Sequence, residues 1–268
     1  MNFHEKTTLG RTELKVGRLG ISSSYGAPAE AYEEAFEKGC NYFTLGSFGR
    51  GRSKEMIRAI RNITAKGKRD ELIVSVVDYT HDPLIGRPHY KRALRQLGLE
   101  YADVFFLGYT VGYYRKHLVR WAQRLKDKGL ARYIGVSSHD RSLFPVLANE
   151  GDLDVFHIRY NPVNTGAEKD IFPLLPEVNR QGIVAFTATR WGQLLKESKM
   201  PEGEPPLTAS DCYRFVLGNP SVDICMTGAK THAMLTENLK TLEMGSLSEE
   251  EMQRIRRIGD HLYGKPRD

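Results

Sequence analysis

The chain has 268 residues, of which 40% are hydrophobic and 27% are charged. This composition excludes a disordered or fibrous protein, and the length suits a single domain spanning residues 1–268. The formal net charge is +6, and its Lys and Arg residues are scattered along the chain. Because nucleic-acid binding needs a concentrated basic patch with stacking aromatic residues, we expect no nucleic-acid partner.

Cysteine spacing and the N-terminal residues indicate the setting of the protein. Cys40, Cys212 and Cys225 are far apart and form no CxxC motif, so we expect no disulfide framework, zinc site or iron–sulfur site. Cys40 and Cys225 adjoin apolar runs and are predicted to lie in the core. The N-terminal residues form no apolar signal segment, and no apolar run approaches the roughly 20 residues of a membrane span. We therefore expect a cytoplasmic protein without a membrane partner.

Short apolar runs, rich in β-branched or aromatic residues and bounded by turn residues, are typical of buried parallel strands. They are Leu19–Ser22, Tyr42–Leu45, Leu72–Val77, Asp103–Leu107, Tyr133–Ser137, Val155–Arg159, Ile183–Thr187 and Val222–Met226. Eight such runs in a chain of this length predict a closed (β/α)8 barrel, an α/β fold, rather than an open doubly wound sheet.

Amphipathic segments accompany these runs and predict helices, several of which end at a glycine. They are Pro28–Lys38, Ser53–Ile63, Pro88–Leu97, His117–Lys128, Ile171–Gln181, Thr208–Leu217, Thr231–Thr241 and Ser248–Leu262. The sequence SEEE opens the last of them as a capping box. The Pro-rich stretch Ser198–Leu207 is predicted to be a loop after the seventh strand. In such barrels the functional loops follow the carboxyl ends of the strands.

Several segments, in chain order, resemble the aldo-keto reductase family. They are LGRTELKVGRLG, GCNYF with GRGRSKEMI, RALRQLGLEYADVFFL, KDKGLARYIGVSS, HIRYNPVN, and NPSVDICMTGAK with LTENL. The resemblance implies a TIM barrel with an N-terminal hairpin and an extra C-terminal helix. It also implies NADP as cofactor and a small carbonyl compound as substrate.

The four catalytic positions of that family carry other residues in this chain. The family uses Asp, Tyr, Lys and His, and the matching positions here are Thr44, Phe48, Val76 and Gly108, with one residue fewer before Gly49. In the family the Tyr donates a proton to the carbonyl oxygen, Lys and Asp lower its pKa, and His orients the substrate. Loss of a general acid typically costs ~10²–10⁴-fold in rate.

Other residues near the predicted strand ends are candidates for a substitute proton donor. Tyr25 follows the first strand, Asp78 and Tyr79 follow the third, and Tyr109 follows the fourth. Asp78 lies two residues after Val76 and is expected to point to the same side of the sheet. The alternative for each is a pocket-lining or surface residue. The spread of the histidines indicates no metal site.

Part of the family's cofactor site is retained. Ser137 and Ser138 stand at its Ser-Asn pair, His157 replaces a Gln that holds the nicotinamide amide, and Phe186 replaces the Tyr that stacks on the ring. Stacking needs the ring rather than the hydroxyl. The alternatives are a strand end for the serines, a satisfied core histidine for His157 and barrel core for Phe186.

The rest of the expected cofactor site lies in two later segments. Residues near the pyrophosphate are expected to be Arg190 and the backbone around Gly192, and the C-terminal segment contributes Gly228, Lys230, Glu237 and Asn238. The last two match the pair that reads adenine, and Lys230 is placed to pair with a 2′-phosphate. The alternatives are surface positions on an exposed helix face for Glu237 and Asn238, and a solvated helix start for Lys230.

Three functions follow from this pattern. The first is an atypical NADP(H)-dependent oxidoreductase that acts on a small carbonyl, quinone or imine compound with a relocated or missing proton donor. The second is a non-catalytic NADP(H)-binding sensor or partner subunit. The third is a barrel with unrelated chemistry. The sequence indicates neither the substrate nor the oligomeric state.

Overall fold

A computed structural model of the chain describes residues 2–48, 51–110 and 116–264, with the backbone alone for Tyr109 and Thr110. A short antiparallel hairpin precedes a closed barrel of eight parallel strands. The strands are β1 Thr7–Thr8, β2 Lys15–Val16, β3 Leu19–Ser22, β4 Tyr42–Gly46, β5 Ile73–Asp78, β6 Ala102–Thr110, β7 Ala131–Ser138, β8 Val155–Arg159, β9 Gly182–Phe186 and β10 Ile224–Thr227. Neighbours in the barrel follow chain order, and β10 closes on β3. The predicted barrel and hairpin are confirmed.

Helices follow most of the barrel strands and pack against their outer surface. They are α1 Ala29–Glu37, α2 Lys54–Ala65, α3 Pro83–Leu97, α4 Lys116–Asp127, α5 Leu143–Glu150, α6 Ala167–Asp170, α7 Ala209–Leu217, α8 His232–Leu239, α9 Thr241–Met244 and α10 Glu249–Leu262. The capping box predicted for α10 is present, since Ser248 and Glu251 each accept from the other's backbone N–H. Within the described ranges, none of these helices is long and apolar enough to cross a membrane.

One helix prediction is wrong, and one helix was not predicted. Residues 171–181 were expected to form a helix, but they contain one 3-10 turn, Phe172–Leu174, and then irregular chain. Pro173 and Pro176 remove backbone donors there, and Asn179 has a left-handed φ of 58°. Helix α5 was not predicted. Its short apolar sequence ends at Gly151, which has a φ of 76° and caps the helix.

Side chains on each barrel strand alternate between two separate apolar clusters. Residues such as Leu45, Val76 and Phe105 pack with the helices in one cluster. Residues such as Val77 and Phe106 belong to the other, which contains only barrel-strand and hairpin residues. The second cluster is therefore the barrel interior, and it fixes which side chains face inward.

The hairpin closes the end of the barrel at which the strands begin. Leu9, Leu14 and Val16 join the interior cluster, and the backbone N–H of Glu13 donates to the Tyr133 hydroxyl at 3.1 Å. Gly10 has a φ of 49°, and a Cβ there would lie 2.1 Å from the backbone nitrogen of Gly182. Only glycine fits this approach, so the opposite end, where the strands finish, is the open mouth.

Acidic residues at the closed end lock alternate strands to their neighbours. Asp103, Asp154 and Asp223 accept the backbone N–H of Val74, Ile134 and Ile183 at 2.8, 3.0 and 2.8 Å. Each also pairs with a cation, as Asp223 does with Arg180 at 2.7 Å. These contacts stabilise the closed end, which leaves the mouth as the place for chemistry.

The three cysteines are free thiols and all are buried. This confirms the core positions expected for Cys40 and Cys225. Burial raises the pKa of the Cys40 thiol to about 12, so this group stays protonated and is not a nucleophile.

Candidate active site

The last inward-facing residue of each strand lines the barrel mouth. Strand register places Gly46 beside Val77, and Arg159 beside Phe186. By the same alternation Gly108 and Ser137 complete this side of the rim. The rim thus combines two glycines on the side of β4 to β6 with polar and aromatic side chains on β7 to β9.

Two of the four family catalytic positions face inward as expected. Thr44 is buried on β4, and its Oγ1 lies 2.8 Å from Oγ of Ser75 on β5. Gly108 is inward on β6, where its missing side chain leaves room for the ring of Tyr79. Neither residue carries an acidic proton or a charge at the mouth.

The other two positions do not line the mouth. Val76 is fully buried against the helices, so the inward residue at this height is Val77, and the assignment of the third strand is corrected by one residue. Phe48 is 42% exposed, and its ring packs edge-on against His89 of α3, with centroids 4.8 Å apart. The ring of Phe48 therefore contacts α3 in the helix layer.

Asp78 also points away from the mouth, as its spacing from Val76 requires. Its carboxylate accepts hydrogen bonds from Ser47 Oγ at 2.9 Å and from Thr80 Oγ1 at 2.6 Å. A Cβ on Gly86 of α3 would lie 2.9 Å from the same carboxylate. Asp78 is thus a structural acceptor in the helix layer, and its expected role as a substitute donor is corrected.

Three tyrosines remain as candidates for the substitute proton donor, and the structure describes the side chains of two of them. Tyr79 faces inward at the end of β5 and is 50% exposed. Tyr25 is half-buried, and its Cδ2 would lie 2.5 Å from a Cβ on Gly228, so its ring covers the end of β10. Tyr109 belongs to β6, and its side chain lies outside the described part of the chain.

Residues expected to hold the nicotinamide come together inside the barrel. Ser137 on β7 and His157 on β8 are register partners, and both face inward. The His157 ring stacks on Phe106 with centroids 3.9 Å apart and lies 6.3 Å from the Phe186 ring. Ser138 instead faces outward and is fully buried, where its Oγ accepts the Asp140 N–H at 2.9 Å.

His157 is a buried imidazole with an unused nitrogen. It is 5% exposed, and its Nε2 has no hydrogen-bond partner among the described residues. Burial lowers the pKa of His157 to about 3, so the ring is neutral at physiological pH. A buried polar atom without a partner costs free energy, so a hydrogen bond to this nitrogen would be favourable.

The expected phosphate-binding loop is strained but internally bonded. Thr187, Arg190 and Trp191 have left-handed φ angles of 61°, 50° and 54°, and Gly192 follows at 82°. The Gly192 N–H donates to the Thr189 carbonyl at 3.0 Å. Arg190 is buried and donates to the Leu262 carbonyl at 3.0 Å, so it fastens the end of α10. The phosphate role expected for Arg190 and the Gly192 amide stays a prediction, and the structure shows both groups bonded within the protein.

The C-terminal segment divides into exposed and buried candidates. Lys230 is exposed just before α8, and Glu237 is exposed with an ion pair to Lys240 at 2.6 Å. Glu237 also lines a cavity of about 380 Å³ between α7 and α8. Asn238 is buried, and its Nδ2 donates to Thr227 Oγ1 at 3.0 Å. Its amide thus ties α8 to the barrel, and its expected role in reading adenine stays a prediction.

Arg159 is a site residue that the sequence pattern did not single out. It is half-buried on β8, faces inward two residues after His157, and is level with Phe186. Its spacing of two residues from His157 on the same strand is the sequence signal that could have identified it. No group of His, Cys, Asp or Glu in the described ranges is arranged to hold a metal ion.

Comparison with known proteins assigns the chain to a family. A family model described as the aldo/keto reductase family matches residues 15–211. The chain is 23% identical over 296 aligned positions to an uncharacterized oxidoreductase, YqkF, of Bacillus subtilis strain 168. That alignment covers 93% of this chain and 95% of YqkF.

Solved structures show the same architecture. The holo form of aldo-keto reductase AKR11C1 from Bacillus halodurans superposes with a TM-score of 0.77 and 21% identity. Its apo form gives a TM-score of 0.74 and 20% identity. Each comparison covers 95% of this chain and 96% of that chain. At this level of identity the likeness shows the fold alone.

Proposed function

The chain belongs to the aldo/keto reductase family, and on that premise we propose that it is an NADP(H)-dependent oxidoreductase that reduces a small carbonyl, quinone or imine compound. The observation that carries this proposal is the convergence of Ser137, His157 and Phe186 inside the barrel mouth. One of these side chains, His157, offers a buried ring nitrogen without a partner.

The residues fit a nicotinamide ring and its amide. Ser137 and the free nitrogen of His157 are placed to hydrogen-bond the amide, and Phe186 offers a half-buried aromatic face for stacking. His157 remains neutral because its pKa is about 3, so it does not repel the positive charge of an oxidised nicotinamide. When bound, the cofactor supplies a hydride.

The remainder of the cofactor is assigned to the exposed candidates. Lys230 provides the cation for a 2′-phosphate, and Glu237 stands at the cavity between α7 and α8 where adenine is proposed to lie. The substrate then approaches from the open mouth and meets the rim formed by Gly46, Val77 and Gly108. The free buried thiols support a reducing, cytoplasmic setting.

The mouth lacks the family's usual proton donor, and this favours a second candidate function. Phe48 is turned toward α3, and the inward residues Thr44 and Val77 supply no acid. A non-catalytic NADP(H)-binding sensor would need only the nicotinamide side of the mouth. Turnover therefore distinguishes the two functions.

The test is NADPH oxidation by the purified full chain with panels of aldehydes, ketones, quinones and imines. We expect NADPH oxidation that depends on the substrate. Quinones should be reduced most readily, because their reduction depends less on a proton donor positioned by the protein. Cofactor binding without any substrate-dependent oxidation would instead support the sensor.

A further inference from the structure

The ring of Tyr79 occupies the space above the glycines of the mouth. A Cβ on Gly108 would lie 2.7 Å from Tyr79 Cδ1 and 2.8 Å from Cε1. A Cβ on Gly46 would lie 3.9 Å from Tyr79 Cε2. The bare backbone at Gly108 is therefore required by the position of this ring. The absence of a side chain at Gly108 of β6 and the inward placement of Tyr79 therefore depend on each other.

Hydrogen bonds on both sides of Tyr79 hold its loop in place. Asp78 accepts from Ser47 and from the backbone N–H of Thr80 at 3.2 Å. The His81 ring donates from Nε2 to the Gly108 carbonyl. Asp82 then caps α3 by accepting the Leu84 N–H at 2.8 Å. These bonds fix the backbone on both sides of Tyr79 and so set the direction in which its side chain leaves the chain.

Barrel order places Tyr79 across the mouth from the proposed nicotinamide site. Tyr79 directly follows β5, and Phe186 ends β9, which is four strands away from β5 around the closed ring of eight. These two strands are therefore opposite each other. A substrate held between them has the nicotinamide face on one side and the phenol of Tyr79 on the other.

We propose that Tyr79 is the proton donor of this enzyme, an inference that rests on the proposed function. In the reaction, NADPH would, when bound, supply the hydride to the carbonyl carbon as the carbon–oxygen π bond breaks. The carbonyl oxygen takes the phenolic proton of Tyr79. The products are an alcohol, NADP⁺ and a tyrosinate that water reprotonates.

The environment of Tyr79 keeps the proton available. Burial of part of the ring raises the pKa of Tyr79, so the phenol is protonated at neutral pH without help from a neighbouring cation. The residue is also half exposed, so a substrate in the mouth can reach it. A higher pKa makes a weaker acid, and the rate is expected to be modest for this family.

The test compares single hydroxyl deletions in the full chain, using the aldehyde and quinone substrates found for the wild type. Tyr79→Phe removes only the proposed donor, and Tyr25→Phe removes the rival hydroxyl at β10. Tyr101→Phe is the matched control, because Tyr101 lies at the closed end, where its ring contacts Arg69. Gly108→Ala keeps every hydroxyl but adds the methyl group that meets the Tyr79 ring.

We expect Tyr79→Phe to lower kcat/KM for aldehydes by ~10²–10⁴-fold, with an unchanged Kd for NADPH and little change in quinone reduction. Gly108→Ala should reduce aldehyde turnover in the same direction, and Tyr101→Phe should match the wild type. Circular dichroism checks that each variant folds.

Two results overturn the proposal in different ways. An active wild type whose aldehyde turnover survives Tyr79→Phe, or is lost instead in Tyr25→Phe, removes the role of Tyr79 and leaves the proposed function standing. A wild type that binds NADPH but reduces no aldehyde or ketone overturns the role of Tyr79 as a donor to carbonyls, and if it reduces no quinone or imine either, the oxidoreductase function falls with it.

Discussion

The fold strongly changes the chemistry of the His157 side chain. Its ring is enclosed between Phe106 and the neighbouring strands, and burial lowers its pKa from 6.5 to about 3. The unfolded chain therefore takes up a proton at this residue at a higher pH than the folded chain does. The stability that depends on neutral His157 is complete above about pH 6.5 and is lost as the pH falls toward 3.

This predicts that His157→Gln makes the protein less sensitive to acid. Between pH 7.5 and pH 5, protonation of His157 in the unfolded state should lower the wild-type free energy of unfolding by about 2 kcal/mol. Glutamine does not take up a proton in this pH range. The free energy of unfolding of His157→Gln should therefore fall less than that of the wild type over the same interval, by that amount. Urea unfolding at the two pH values measures the difference.

The matched control is His117→Gln, because His117 is exposed on α4. It should leave the acid sensitivity as it is in the wild type. Equal losses of stability in His157→Gln and the wild type would show that His157 is not held neutral by burial.

Individual residue assignments were predictable where the side chain has one possible environment. Cys40 and Cys225 were predicted to lie in the core because they adjoin strand runs, and both are buried. Asn238 and Arg190 were assigned to a cofactor because their side chains suit one, but each bonds within the protein. Asn238 bonds to the side chain of Thr227, on the preceding strand, and Arg190 bonds to the backbone carbonyl of Leu262, 72 residues later. No local sequence pattern indicates either partner.

Strand β5 shows why register was the difficult part at the scale of elements. All six of its residues are buried, so the sequence IVSVVD contains no alternation between apolar and polar residues. Both faces of a parallel barrel strand are apolar. The sequence therefore predicted the strand but not which of its two adjacent valines faces inward.

A pair of neighbouring substitutions tests the register of β5. Val76→Lys should lower the free energy of unfolding by ~3–5 kcal/mol, because it buries an unpaired charge among the helices. Val77→Lys should cost clearly less, since its ammonium can extend from the rim into the open mouth. Urea unfolding of the two variants compares the same side chain on opposite faces of one strand.

Equal destabilisation by the two lysines, or a milder effect at Val76, would contradict the observed register. If the register holds, a lysine restored to the mouth belongs at position 77. Helices were more predictable than register wherever a stop signal was present, as at Gly98, which ends α3 with a φ of 71°. The segment after α6 is also followed by a glycine, Gly182, but Pro173 and Pro176 prevent a continuous helix, and its apolar residues were mistaken for one.

At the scale of the whole molecule, alternation of strands and helices was enough to predict the closed barrel. Chain length and eight repeated units leave few other topologies, and the hairpin followed from the family resemblance. The mouth was less predictable because its surfaces come from loops and from residues on opposite strands. The contact between Tyr79 and Gly108 joins β5 to β6 through space, and sequence spacing does not indicate it.

The central claim is that this mouth binds a nicotinamide cofactor although the family's proton-donating residues are absent from it. Calorimetric titration of the purified chain with NADPH, and with NADH in parallel, tests that claim most directly. We predict micromolar binding of NADPH and weaker binding of NADH, because Lys230 supplies a cation for the 2′-phosphate. An absence of NADPH binding at millimolar concentration would contradict the account and leave the family likeness as one of fold.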